Sequence, residues 1–173
     1  MKRAAFTLIE LMIVIVIMGV VYNLASSNLT RLSKDNGKIT LTNLKTYLQS
    51  QHHEKSVQLL CLDDCSACDV YIDGVKTRTL DALFKDSDVR VYRYDFSYGY
   101  TAKEQDVYFN KEGVEENVCF SYTIDKEGIG EQVLMESKNK FYDYSSYFDS
   151  TKVYSSLSDA SNARDELAQK VMR

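Results

Sequence analysis

From Phe6 onward the chain is apolar through Tyr22 with a single acidic interruption, Glu10, and just before it stand Lys2 and Arg3. The 20 residues from Phe6 to Ala25, coiled as a helix rising about 1.5 Å per residue, reach about 30 Å, the thickness of a bilayer's hydrocarbon core. Such a segment is long enough to span a membrane. The two basic residues ahead of it place the N-terminus in the cytoplasm and residues 28–173 on the far side. Composition agrees with one domain plus this appendage: 173 residues, 45% hydrophobic and 27% charged, exclude both wholesale disorder and a multi-span membrane protein. A net charge of -4 and a pI near 5.2 argue against an electrostatic grip on nucleic acid, so no direct nucleic-acid binding is expected.

Two ordinary explanations of the segment meet the same difficulty. A secretory signal cut near Ala25-Ser26-Ser27 would have an unusually long apolar region containing a carboxylate. A plain membrane anchor would bear that carboxylate as a cost of a few kcal/mol. A Glu snorkelling to the headgroups softens the cost, because Glu10 lies close to the membrane edge. An acid inside a membrane otherwise calls for a partner.

Ala5-Phe6-Thr7-Leu8-Ile9-Glu10, followed by Leu11-Met12-Ile13-Val14-Ile15-Val16-Ile17-Met18-Gly19, resembles the N-terminal signature of type IV pilins and of their relatives, the pseudopilins of type II secretion and DNA-uptake systems. The resemblance covers residues 1 to about 30. It implies that a membrane-embedded prepilin peptidase cuts between Ala5 and Phe6, removes the leader 1–5, and N-methylates Phe6. The family usually has Gly before the cut, and the small Ala5 stands here. It also implies a docking role for Glu10. A free α-amine at Phe6 is cationic at neutral pH, and in the family the Glu neutralises the terminal amine of a neighbouring subunit. Two charges that are each costly when buried become tolerable together.

Beyond the span, spaced apolar residues predict that the helix continues. Ala25, Leu29, Leu32, Ile39 and Val57 fall on one side, and Leu41, Leu44, Leu48 and Leu59 on an adjacent one. After residue 60 the period changes to two. Val89 to Phe96 alternates, Asp106 to Phe109 makes a short strand, and Val118, Phe120, Tyr122 and Ile124 share one face. Turns are expected at Asp73-Gly74, 111–113 and 126–130, with Glu131 to Glu136 returning beside 118–125. Asp143 to Ser156 reads as a Tyr- and Ser-rich surface loop, and Ser158 to Met172 as a capped C-terminal helix. The expected fold is α+β and pilin-like: a long N-terminal helix, hydrophobic in its first half and amphipathic in its second, packed on an antiparallel meander. Its parts are the leader 1–5, the assembly helix 6–25, its amphipathic continuation 26–60, and an extracytoplasmic β domain 61–173.

Four cysteines, Cys61, Cys65, Cys68 and Cys119, in an extracytoplasmic domain point to two disulfides with three possible connectivities. Cys65-Ser66-Ala67-Cys68 lacks the strand-then-helix setting of a thioredoxin-type catalyst, and a four-thiolate zinc site sits poorly with an oxidising compartment. Joining Cys119 to the 61–68 cluster would tie a strand to the end of the long helix. His52 and His53 point about 100° apart on a helix and cannot share a metal. Asp63, Asp64, Asp69 and Asp73 lie close in sequence without EF-hand spacing. No catalytic constellation, cofactor motif or metal-ligand set emerges.

The chain therefore reads as a fibre subunit held in the bacterial inner membrane by one helix, processed by prepilin peptidase, and stacked with other pilin or pseudopilin subunits. The resemblance also implies an assembly platform and its ATPase as partners. The family's helix proline is missing, and no cysteine follows Cys119, so the C-terminal disulfide loop of many major pilins cannot form. Both departures favour a minor pilin or a pseudopilin of a type II secretion or DNA-uptake (competence) system. The competing expectation is a membrane-anchored periplasmic binding domain that uses its Tyr-rich region 141–154 and does not polymerise.

Overall fold

The computed structural model describes residues 9–10, 12–19, 38–84, 88–104, 106–110, 112–147 and 149–171. The chain divides into two compact units, Met1–Lys38 and Ile39–Arg173. In the first, residues 9–10 and 12–19 are helical and are labelled α1. Among the described residues no helix is long and apolar enough to cross a membrane. The leader 1–5, the remainder of the expected 6–25 span, and residues 26–37 of its continuation lie outside the described residues.

The second unit has mixed α and β content built on antiparallel sheets. Helix α2 (Leu44–Gln49) precedes strands β1 (Ser56–Leu62), β2 (Ala67–Ile72), β3 (Val75–Asp81), β4 (Val89–Asp95), β5 (Gly99–Ala102), β6 (Val107–Phe109), β7 (Glu115–Asp125), β8 (Leu134–Ser137), β9 (Lys140–Asp143) and β10 (Lys152–Tyr154), and α3 (Leu157–Val171) ends it. One sheet has the order β3-β2-β1-β7-β6 and the other β10-β9-β8-β4-β5. Strand β7 follows its sequence pattern: Val118, Phe120, Tyr122 and Ile124 all point into the core. The β2–β3 hairpin closes on Asp73 (φ 53) and Gly74 (φ 82), both left-handed, the backbone a tight two-residue hairpin turn requires. Helix α3 starts where the Ser156 hydroxyl accepts the Asp159 N–H at 3.1 Å. It lies against β5, β9 and β10, with Arg164 over the Tyr94 ring and Asp165 accepting the Tyr94 hydroxyl.

Four expectations need correction. The first concerns the amphipathic continuation 26–60: of its described residues 38–60 only Leu44–Gln49 are α-helical, residues 38–43 are not, and Ser56–Leu62 is a strand. Strand β1 lies between β2 and β7 and buries Val57, Leu59, Leu60 and Cys61, so both of its faces carry apolar residues. A near-continuous apolar run of that kind mimics helical spacing. Secondly, the segment after the 126–130 turn makes only an isolated bridge to β7, Ile124 with Gly130, and then crosses to the second sheet, where Leu134–Ser137 pairs with β4 and β9. The single meander is thus two sheets. Thirdly, the presumed loop Asp143 to Ser156 holds the end of β9 and all of β10, and its Tyr144 is a core residue. Finally, the cysteine link from Cys119 reaches the β1–β2 turn, not a helix end.

The buried side chains form a main cluster and a smaller one of Leu134, Phe141 and Ala160. Leu44 and Leu48 from α2 pack with Val57, Leu59, Phe120, Tyr122, Ile124, Val133, Met135 and Tyr144. Full burial of a side chain of this size contributes roughly 1.5–3 kcal/mol. A helix of only six residues is marginal by itself, so α2 owes its existence to this packing.

Candidate functional site

The N-terminal helix is apolar on every side. Ile9 and the residues from Met12 to Met18 are all between 44% and 67% exposed, and Glu10 is exposed among them. Ile9, Met12, Ile13, Val16 and Ile17 line one continuous apolar stripe at spacings of three and four. A helix without a polar face is at rest only in lipid or among other helices. Among the described residues of this helix Glu10 is the one polar side chain, in a surface otherwise suited to apolar contact. Ala5 and Phe6, expected to flank the cut, lie outside the described residues.

The cysteines form two disulfides, Cys61–Cys68 and Cys65–Cys119. The first joins directly opposed residues of β1 and β2, and the second fixes the turn between those strands to β7. Of the three connectivities open to the sequence, this one cross-links three adjacent strands. No thiol remains free for redox work.

Three of the four neighbouring aspartates serve separate ends. Asp64 accepts the N–H of Ser66, Asp69 accepts the Thr79 hydroxyl and pairs with Lys76, and Asp73 takes backbone N–H groups of residues 54–56. Among the described residues no three His, Cys, Asp or Glu side chains are placed to hold a metal ion. His52 is exposed, while His53 lies between two carbonyl oxygens. A cleft of about 140 Å³ opens between β4–β5 and β7, where Lys103 bonds Asp106 at 2.7 Å and Ser121 donates to the same carboxylate at 2.6 Å. This volume is well below the several hundred Å³ of ordinary small-molecule sites.

Two features were not read from the sequence. Lys45, only 2% exposed, donates from Nζ to the carbonyl oxygens of Ser146 and Asp149, the latter at 2.7 Å. Burial lowers its pKa against the opposing pull of Asp143 and Asp149. Beside it the Tyr144 hydroxyl donates to Leu41 O at 2.6 Å, and Gln49 Nε2 to Gly128 O at 3.2 Å. These bonds pin the first residues of the second unit to two loops of the β structure. Lys45 stands between the core residues Leu44 and Leu48, which was the only sequence hint of its burial. The other feature is the β4–β5 turn, where Phe96 and Tyr98 are almost wholly exposed while Asp95 Oδ1 accepts the N–H groups of Ser97 and Tyr98.

Residues 1–21 match the model of the prokaryotic N-terminal methylation motif, the prepilin-type signal of type IV pilins. No curated protein and no solved structure matches the chain.

Proposed function

We propose that the chain is a structural subunit of a type IV pilus-like fibre, a minor pilin or pseudopilin of a type II secretion or DNA-uptake system. The observation that supports this reading most is the methylation motif at residues 1–21, within which lies a helix with apolar side chains all round and one acid, Glu10. The motif implies processing by prepilin peptidase and assembly with other pilins. In the proposed sequence of events the peptidase cuts between Ala5 and Phe6 and Phe6 is N-methylated. The helix from residue 6 to 25 stays in the inner membrane with the β domain outside, and an assembly platform with its ATPase then stacks the subunits. Glu10 neutralises the amine of Phe6 on a neighbouring subunit, which sets the axial register. The activity is mechanical rather than enzymatic, and it needs no cofactor. The absence of proline and of any cysteine after Cys119 favours the minor pilin or pseudopilin classes.

Replacing Glu10→Ala tests the role assigned to it. The variant is expected to reach the membrane at the normal level and to be lost from sheared fibres by tenfold or more, since removing one partner of a buried charge pair costs about 3–5 kcal/mol. Normal incorporation of the variant would overturn the proposal and favour a domain that is anchored but does not polymerise.

A further inference from the structure

Residues 50–55, which connect α2 to β1, are held by two side chains of opposite sign. Asp73, in the β2–β3 turn, receives the backbone N–H groups of Lys55 at 2.6 Å, Ser56 at 3.1 Å and Glu54 at 3.1 Å. His53 sits with Nδ1 2.8 Å from the Gln51 carbonyl oxygen and Nε2 2.8 Å from that of Asp125, the last residue of β7. Carbonyl oxygens only accept. A neutral imidazole carries one N–H, so it serves one of them and turns a lone pair toward the other. Only the imidazolium satisfies both.

We infer that His53 and Asp73 form a pH-dependent clasp on this connection, in which the His53 cation ties the exit of α2 to the end of β7 and gives up one of its two carbonyls on losing a proton. The charged groups facing the ring are Asp73, from the β2–β3 turn, and Asp125 itself. The His53 pKa is raised above its ordinary value, first by the bond to the Gln51 carbonyl and then by that to Asp125, with the two carboxylates adding and slight burial opposing. A raised folded-state pKa makes the histidine's contribution complete below about 6.5 and lost as pH rises through the higher folded value. The Asp73 carboxylate is held below its usual range, chiefly by the Lys55 and Glu54 N–H groups. Its contribution is present above about 3.9 and lost as pH falls through the depressed value. The clasp is therefore closed at mildly acidic pH and half-open at alkaline pH. It bears on function because the same short stretch follows α2, whose Lys45 and Gln49 bonds fasten the start of this unit.

The test is amide hydrogen exchange at residues 50–55 and 125–128 in the purified full chain, wild type against His53→Gln, at pH 5.5 and 8.5. Glutamine keeps a donor and cannot titrate. The wild type is expected to be severalfold better protected than the variant at the lower pH, with the ratio falling toward one at the higher. A nuclear magnetic resonance titration of the ring should give a midpoint above 6.5. A protection ratio that is the same at both pH values, which simple packing of the ring would produce, overturns the inference. So does a ring that titrates at or below 6.5.

Discussion

Replacing both Cys65 and Cys119 with alanine is expected to lower the unfolding free energy by about 4 kcal/mol, whereas the same change at Cys61 and Cys68 should cost only about 2 kcal/mol. The difference lies in the unfolded chain. The first bridge closes 54 residues of sequence and the second only 7, and the loop entropy removed from the unfolded state grows with loop length. In the folded state both bridges join segments that already lie side by side, since β1 pairs with β2 and, along Ser56 to Leu62, with β7. Urea unfolding of the full chain in detergent, followed by a tyrosine signal from the β structure, measures both. A domain of ordinary stability has about 5–15 kcal/mol to lose, so the loss at Cys65–Cys119 is between roughly a quarter and four fifths of the whole. Equal losses for the two variants would mean that the long loop is already constrained in the unfolded chain.

Gly130→Ala is expected to destabilise the same domain by about 3 kcal/mol, at the upper end of overpacking in a filled core. A Cβ at Gly130 would stand 2.1 Å from the Tyr122 hydroxyl oxygen and 2.8 Å from the ring carbon bearing it. The tyrosine has nowhere to retreat: it is fully buried, with its ring 5.2 Å from that of Tyr144. Moving the backbone instead would disturb the Ile124–Gly130 bridge and the bond from the Glu131 N–H to Thr123 O at 3.1 Å. Pairing Gly130→Ala with Tyr122→Phe removes the nearest atom and leaves the 2.8 Å contact, so the double variant should recover part of the loss. Full tolerance of Gly130→Ala would contradict this packing.

How much was legible in the sequence followed the burial of each element. Strand β7 is buried on one face, so Val118, Phe120, Tyr122 and Ile124 alternate visibly with polar residues, and the Asp73-Gly74 turn declares its own geometry. Helix α3 carries its cap in Ser156 and its acid in Asp159. Strand β1 is apolar on both faces and so was mistaken for helix. The second sheet was obscured because β8, β9 and β10 are only four, four and three residues long, too short to establish a period. Its contribution to the core rests on residues such as Met135 and Tyr144, whose burial depends on contacts distant in sequence. The same limit hid Lys45 and His53. A lysine between two leucines and one of two adjacent histidines become meaningful only when the carbonyls of Asp149 and Asp125 arrive from far along the chain. The apolar N-terminus and its acid, by contrast, are properties of consecutive residues, and the motif could be recognised without any tertiary information.

The Tyr-rich stretch shows why composition alone misleads about surfaces. A contact patch of exposed tyrosines at 141–154 would favour the non-polymerising binding domain. Tyr144 is buried with its hydroxyl on Leu41 O and Phe141 packs with Leu134 and Ala160, whereas Tyr147 is exposed and Tyr142 and Tyr154 are half-buried. Part of the stretch is thus committed to the interior, while the N-terminal helix exposes apolar side chains along its described length.

The most direct test of the fibre-subunit reading is intact mass and N-terminal sequencing of the protein from native membranes, with and without the prepilin peptidase. The account predicts a chain beginning at N-methylated Phe6 when the peptidase is present and at Met1 when it is not. A chain beginning at Asn28, or at Met1 with the peptidase present, would contradict it.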